Sequence, residues 1–146
     1  MGANVTFYAV QPSGLFPWVA KLVARAFERK RQVLVLCENE TQSRELDEFL
    51  WTFDEESFIP HKTVPGPPKE EGVDVPVLLS TEPVLPPTQH ILIQLGVAEP
   101  DFALNFEHVI EIVDRTDEAK LIRSRERYRT WKGFEEQHGV QVVFKG

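Results

Sequence analysis

The sequence predicts an α/β fold with a mostly parallel sheet between layers of helix. Three observations predict it. A β-branched and aromatic run near the N-terminus is followed by a helical pattern, a short apolar run and a second helical pattern. That alternation opens a strand–helix–strand fold. The apolar run Val33-Leu34-Val35-Leu36-Cys37 has no polar alternation, as expected of a strand covered on both faces. Finally, 146 residues with 42% hydrophobic content suffice for one independent core, so residues 1–146 read as a single domain.

The elements follow in order. Val5-Thr6-Phe7-Tyr8-Ala9-Val10 reads as the first strand, ended by Gln11-Pro12-Ser13-Gly14. From Pro17 to Lys30, Val19, Ala20, Val23, Ala26 and Phe27 recur at helical spacing, with Lys21, Arg25, Glu28 and Arg29 between them. Pro17 suits the first turn of that helix. After the second strand, Asn39 or Thr41 caps a helix whose stripe is Leu46, Phe49, Leu50 and Phe53. Eight of the 11 prolines fall between Pro60 and Pro87, which excludes a long helix there.

Val75-Pro76-Val77-Leu78-Leu79 reads as a short strand with its proline near the start. Ile91 to Leu95 and Val109 to Val113 are clearer strands, and Phe102 and Phe106 flank a turn or short helix between them. Asp117 to Gln137 reads as the last helix, with acids at its N-terminus. Val140 to Phe144 reads as a final edge strand. The whole is a three-layer, Rossmann-like arrangement, with strand order left open.

Several chemistries lack their motifs. The loop after the first strand offers one glycine, Gly14, with neither G-x-G-x-x-G nor G-x-x-x-x-G-K-[ST], so a nucleotide-dependent enzyme is the weaker alternative. Glu38 ends the second strand, where a ribose-binding acid would sit, but without the glycines it reads as a solvated acid. Cys37, the one cysteine, reads as a buried strand residue and fits a reducing, cytoplasmic setting. His61, His90, His108 and His138 form no metal-binding spacing, and His61 beside Pro60 reads as a turn. No metal or cofactor is expected. No apolar run reaches membrane-spanning length. Met1 to Thr6 matches the loose myristoylation pattern, but Val5 already belongs to the first strand.

Charge is unevenly placed. The chain has 23 acids and 16 bases, a net charge of -7, which disfavours nucleic-acid binding through its overall field. Yet Lys120 to Lys132 holds six bases and one acid, a local +5, leaving -12 for the other 133 residues. At about 100° per residue, Arg125, Arg129 and Lys132 share one helical face with Tyr128 at its margin, whereas Arg123 and Arg127 point elsewhere. A solvated face is the bland reading. The sharper one is an anion site: an acidic peptide held by Arg forks beside an aromatic ring, or single-stranded DNA bound directly. A second feature is aromatic. Trp51, Phe53 and Phe58, with the rigid Pro60, either complete the core or form a patch for a partner.

These residues resemble a known family. Val5 to Tyr8, Arg31 to Glu38, Leu46 to Trp51, Ser57 to His61 and Arg125 to Tyr128 occur in the order found in the chi subunit of bacterial DNA polymerase III. The chain departs from that pattern in a shorter proline-rich middle and after Phe134. The resemblance implies a non-enzymatic adaptor. Chi proteins pair with the psi subunit of the clamp loader and bind the acidic C-terminal tail of single-stranded DNA-binding protein, so that they reach DNA only indirectly. By that resemblance Arg125 and Tyr128 match tail-binding residues directly. Arg129 stands where the family can have Lys, and Val113 matches an apolar residue of the same pocket. Lys132 adds a further cation. Trp51, Phe58 and Pro60 match the region used for psi and for a helicase partner.

Overall fold

The computed structural model describes residues 4–52, 61–64, 76–86, 88–96 and 98–145, the side chains at 61–64 and 136–138 excepted. Its strands are β1 (Asn4–Ala9), β2 (Val33–Leu36), β3 (His61–Val64), β4 (Val77–Ser80), β5 (Ile91–Gln94), β6 (His108–Val113) and β7 (Gln141–Lys145). They form one sheet in the order β3-β4-β2-β5-β6-β1-β7, and every pairing is parallel. The helices are α1 (Leu15–Glu28), α2 (Glu40–Thr52), α3 (Pro100–Ala103) and α4 (Glu118–His138). This is the expected three-layer α/β arrangement.

Strand periodicity divides the core in two. Val5 and Phe7 of β1, Leu34 and Leu36 of β2 and Val109 and Val113 of β6 point to one face. There they meet Trp131 of α4 and Phe106, which follows α3. Val33, Val35, Val77, Leu79 and Ile93 point to the other face, against Val19 and Val23 of α1 and Leu46 and Leu50 of α2. All four residues of β2 are buried, which explains its unbroken apolar sequence.

Local signals set the helix ends. Asn39 Oδ1 accepts from the Gln42 N–H at 2.8 Å and caps α2; Thr41 lies inside the helix. Asp117 Oδ1 accepts from the Lys120 N–H at 3.1 Å and caps α4. At the end of α1, Lys30 has φ 58, while the N–H groups of Lys30 and Arg31 donate to Phe27 and Ala26 carbonyls. This double closure is a Schellman motif. Gly139, φ 65, ends α4 and supplies the left-handed residue without a Cβ penalty.

Two readings need correction. His61 opens β3 rather than a turn. Its partner β4 is Val77–Ser80, shifted past the proline, because Pro76 has no N–H for the ladder. The predicted edge strand is β7, which pairs with β1 on its inner side. Phe53, Phe58 and Pro60 lie outside the described residues.

Candidate functional site

The site is built on α4 and the end of β6. Among the 13 residues from Lys120 to Lys132, three of the six bases are already engaged. Lys120 Nζ lies 3.5 Å from Glu38 Oε1, Lys132 Nζ 2.9 Å from Glu135 Oε1, and Arg127 Nε 2.9 Å from Glu111 Oε1. The other three, Arg123, Arg125 and Arg129, are exposed and have no ion-pair or hydrogen-bond partner among the described residues. The local +5 therefore resolves into three guanidinium groups facing water, two of them one helical turn apart.

Lys132 belongs to a different setting from Arg125 and Arg129. Its ammonium is pushed up in pKa, first by the hydrogen bond to Glu135 and then by that carboxylate's charge. Glu135 is pushed down by the same bond, and its Oε2 accepts from the Val142 N–H. An anion reaching Lys132 has to compete with a carboxylate that also ties α4 to β7.

Arg127 does not simply point elsewhere; it turns inward. Glu111, 1% exposed, accepts from Arg127 Nε, from Trp131 Nε1 at 2.9 Å and from Gln94 Nε2 at 3.0 Å. Gln94 Oε1 accepts in turn from the Ala98 N–H. This buried network joins β5, β6 and α4. It fixes the helix's rotation and so decides which bases face outward. Trp131 is 2% exposed and serves the core, not a ligand. Sequence reasoning missed Glu111, although one signal was present. In Val109-Ile110-Glu111-Ile112-Val113 the acid shares its face with two buried valines, which demands a buried partner.

Tyr128 lies between these regimes. It is half-buried, its ring edge-on to Phe7 with centroids 5.3 Å apart, and it packs on the apolar cluster that contains Val113. Arg125 and Arg129 flank it on the helix. Val113 is itself 5% exposed, so it can serve as the floor of a shallow site more than its wall. The next residue, Asp114, accepts from the Thr116 N–H and hydroxyl. The hydroxyl bond is the main reason its carboxyl lies below the usual range. That turn sets the step from β6 into α4.

Of the second group, Trp51 lies in the last turn of α2 with 47% of its surface exposed. Phe58 and Pro60 lie outside the described residues.

A cleft of about 840 Å³ opens at the C-terminal ends of the strands, where α/β proteins commonly bind ligands. Its β1 loop does not form a phosphate cradle. The Gly14 N–H donates to Gln11 and the Leu15 N–H to Pro12, so the amides of the cap and of the first residue of α1 are already used. Cys37 at the same end is 2% exposed, and burial pushes its thiol up to about 12. A thiol held protonated in this way is a poor nucleophile. His90 Nδ1 accepts from the Gln32 N–H, a structural use. Among the described residues no cluster of His, Cys, Asp and Glu could hold a metal, and no helix is long and apolar enough to cross a membrane.

Comparison with known proteins identifies the family. The family model described as DNA polymerase III chi subunit, HolC, matches residues 2–139. The chain is similar to DNA polymerase III subunit chi of Pseudomonas aeruginosa, 36% identical over 115 residues, 75% of this chain and 76% of that one. It is 32% identical to the Escherichia coli subunit chi over 139 residues, 88% and 90% of the two chains. The Haemophilus influenzae subunit chi is 32% identical over 108 residues, 74% and 73% of the two. The chain belongs to the DNA polymerase III chi subunit family, and its place is that of a replication accessory subunit.

Proposed function

We propose that this chain is a non-catalytic, cytoplasmic adaptor that links the clamp loader to single-stranded DNA-binding protein. Arg125 and Arg129 pair with the carboxylates of that protein's acidic C-terminal tail. Tyr128, over the floor made by Val113, holds the tail's terminal apolar side chain. Lys132 contributes only when the tail displaces Glu135. Trp51, with Phe58 and Pro60, meets psi or a helicase partner.

One observation carries this reading. Arg125 and Arg129 stand unpaired beside a half-buried tyrosine, while Lys120, Arg127 and Lys132 on the same helix are each neutralised by a carboxylate. Guanidinium forks match carboxylates bidentately, which suits a short acidic peptide. The overall charge of -7 disfavours long polyanions, and the unpaired cations of α4 suit a short anionic ligand.

The experiment is a titration of a fluorescently labelled tail peptide against wild type and Arg125→Ala. The variant should bind about tenfold more weakly, as expected for one lost charged hydrogen-bond pair. Equal affinity would remove the site. A control with oligo-dT alone should give little binding, whereas strong and salt-steep binding would favour direct DNA contact instead.

A further inference from the structure

A second basic surface lies on the opposite face of the sheet. Seven strands at about 4.8 Å spacing span about 29 Å, whereas two helices cover only about 20 Å. α1 and α2 lie over the β2 side of the sheet, so the β1–β7 end of that face is left open. The opening is a groove of about 530 Å³ between the C-terminal half of α1 and strand β7. Its floor is partly aliphatic: Leu22 and Ala26 of α1, Ile110 of β6 and Val143 of β7, the last 46% exposed, lie beside Thr6 and Tyr8 of β1.

The rim is cationic. Arg25, Arg29, Arg31 and Lys145 line the groove, and no Asp or Glu among the described residues does. Arg31 is held by Glu107, Nη1 to Oε1 at 3.1 Å. Arg25, Arg29 and Lys145 are exposed and have no partner among the described residues. Three unpaired cations around a partly apolar floor, on a chain of net charge -7, match in number the three unpaired arginines of α4. The outer edge of β7 also pairs with no described strand, which leaves backbone donors and acceptors beside the groove.

We infer that this groove docks an acidic segment of a partner protein, whose carboxylates meet Arg25, Arg29 and Lys145 and whose apolar side chains cover Val143 and Leu22. Charge complementarity selects the sign of the partner. The aliphatic part of the floor favours a peptide with apolar side chains, whereas single-stranded nucleic acid stacks its bases on a series of aromatic faces. Of the two rings that line the groove, Tyr8 is packed edge-on against Trp18, centroids 5.1 Å apart, so only His108, at the start of β6, is an exposed ring there. The site is separate from the α4 face and stands whether or not α4 binds a tail.

The test uses the whole chain and a labelled decapeptide alternating glutamate with leucine. Binding should weaken about tenfold in the doubly reversed variant Arg25→Glu/Arg29→Glu, in which two exposed ion pairs are lost and replaced by repulsion. Arg125→Glu should leave enough binding for NMR amide shifts of Leu22, Arg25 and Val143 to persist. Both variants change exposed residues, and circular dichroism checks that they fold. Unchanged affinity in the double variant overturns the inference. Oligo-dT that binds more tightly than the peptide and is lost in the same variant overturns it too, in favour of nucleic acid.

Discussion

Arg127 donates from Nε to Oε1 of Glu111 at 2.9 Å, and the carboxylate that it meets is 1% exposed. A basic helix therefore uses one of its own guanidinium groups to anchor itself. With Trp131 and Gln94 on the same acid, the pair sets the rotation of α4, so that Arg125 and Arg129 project outward.

Glu111→Ala should destabilise the fold by about 3 kcal/mol, because it leaves Trp131 Nε1 and Gln94 Nε2 buried without an acceptor. Arg127, 22% exposed in its side chain, can recover some hydration. Urea unfolding should show a lower midpoint at unchanged slope. A loss below about 1 kcal/mol would mean that the network is not what holds α4.

The bases of α4 should differ in their effect on the tail peptide. Arg129→Ala should weaken binding by roughly fivefold to tenfold. Lys132→Ala should cost less than about twofold, because its charge is already met by Glu135. Titrations of the two variants at the same salt decide it, and a larger effect at Lys132 would move the site toward β7.

Cys37 gives a pH dependence with a definite sign. Its folded thiol is raised from 9.0 to about 12 by burial. Above the unfolded value the unfolded chain releases a proton that the folded chain retains, so unfolding gains free energy. Stability should fall from about pH 9 upward, and Cys37→Ala should flatten that alkaline limb relative to wild type. Ellman's reagent at pH 8 should leave the native thiol unreacted. Rapid native labelling would contradict the burial.

Lys30 sits at the left-handed position of the α1 Schellman motif with φ 58. Lys30→Gly removes the Cβ penalty but adds unfolded-chain entropy, for a net gain of roughly 0.5–1 kcal/mol. Thermal unfolding should rise by about 2–3 °C. A fall would show that the lysine side chain contributes contacts of its own.

How far the sequence could be read follows from where its signals are local. β2 and β5 read as apolar runs in a parallel sheet, whose burial demands that composition, and β6 is interrupted between its apolar residues by Glu111. α1 carries its apolar periodicity in neighbouring residues, and α2 and α4 carry their caps, Asn39 and Asp117. β3 was not legible, since His61-Lys62-Thr63-Val64 has no apolar run and owes its strand to pairing with β4. Strand order was also hidden, because crossover connections leave no local trace. On α4 the spacing placed Arg125 and Arg129 on one exposed face. It could not show that Lys132 is neutralised one turn away or that Arg127 is drawn inward by an acid 16 residues earlier.

The central claim is that the outward face of α4 is the anion site. NMR mapping of the amides while the tail peptide of single-stranded DNA-binding protein is added tests it most directly. The account predicts that the largest shifts cluster at Val113, Arg125, Tyr128 and Arg129 and saturate together. Shifts confined to the cleft at the strand ends, around Gln94 and Glu38, or to the α1–β7 groove would contradict it.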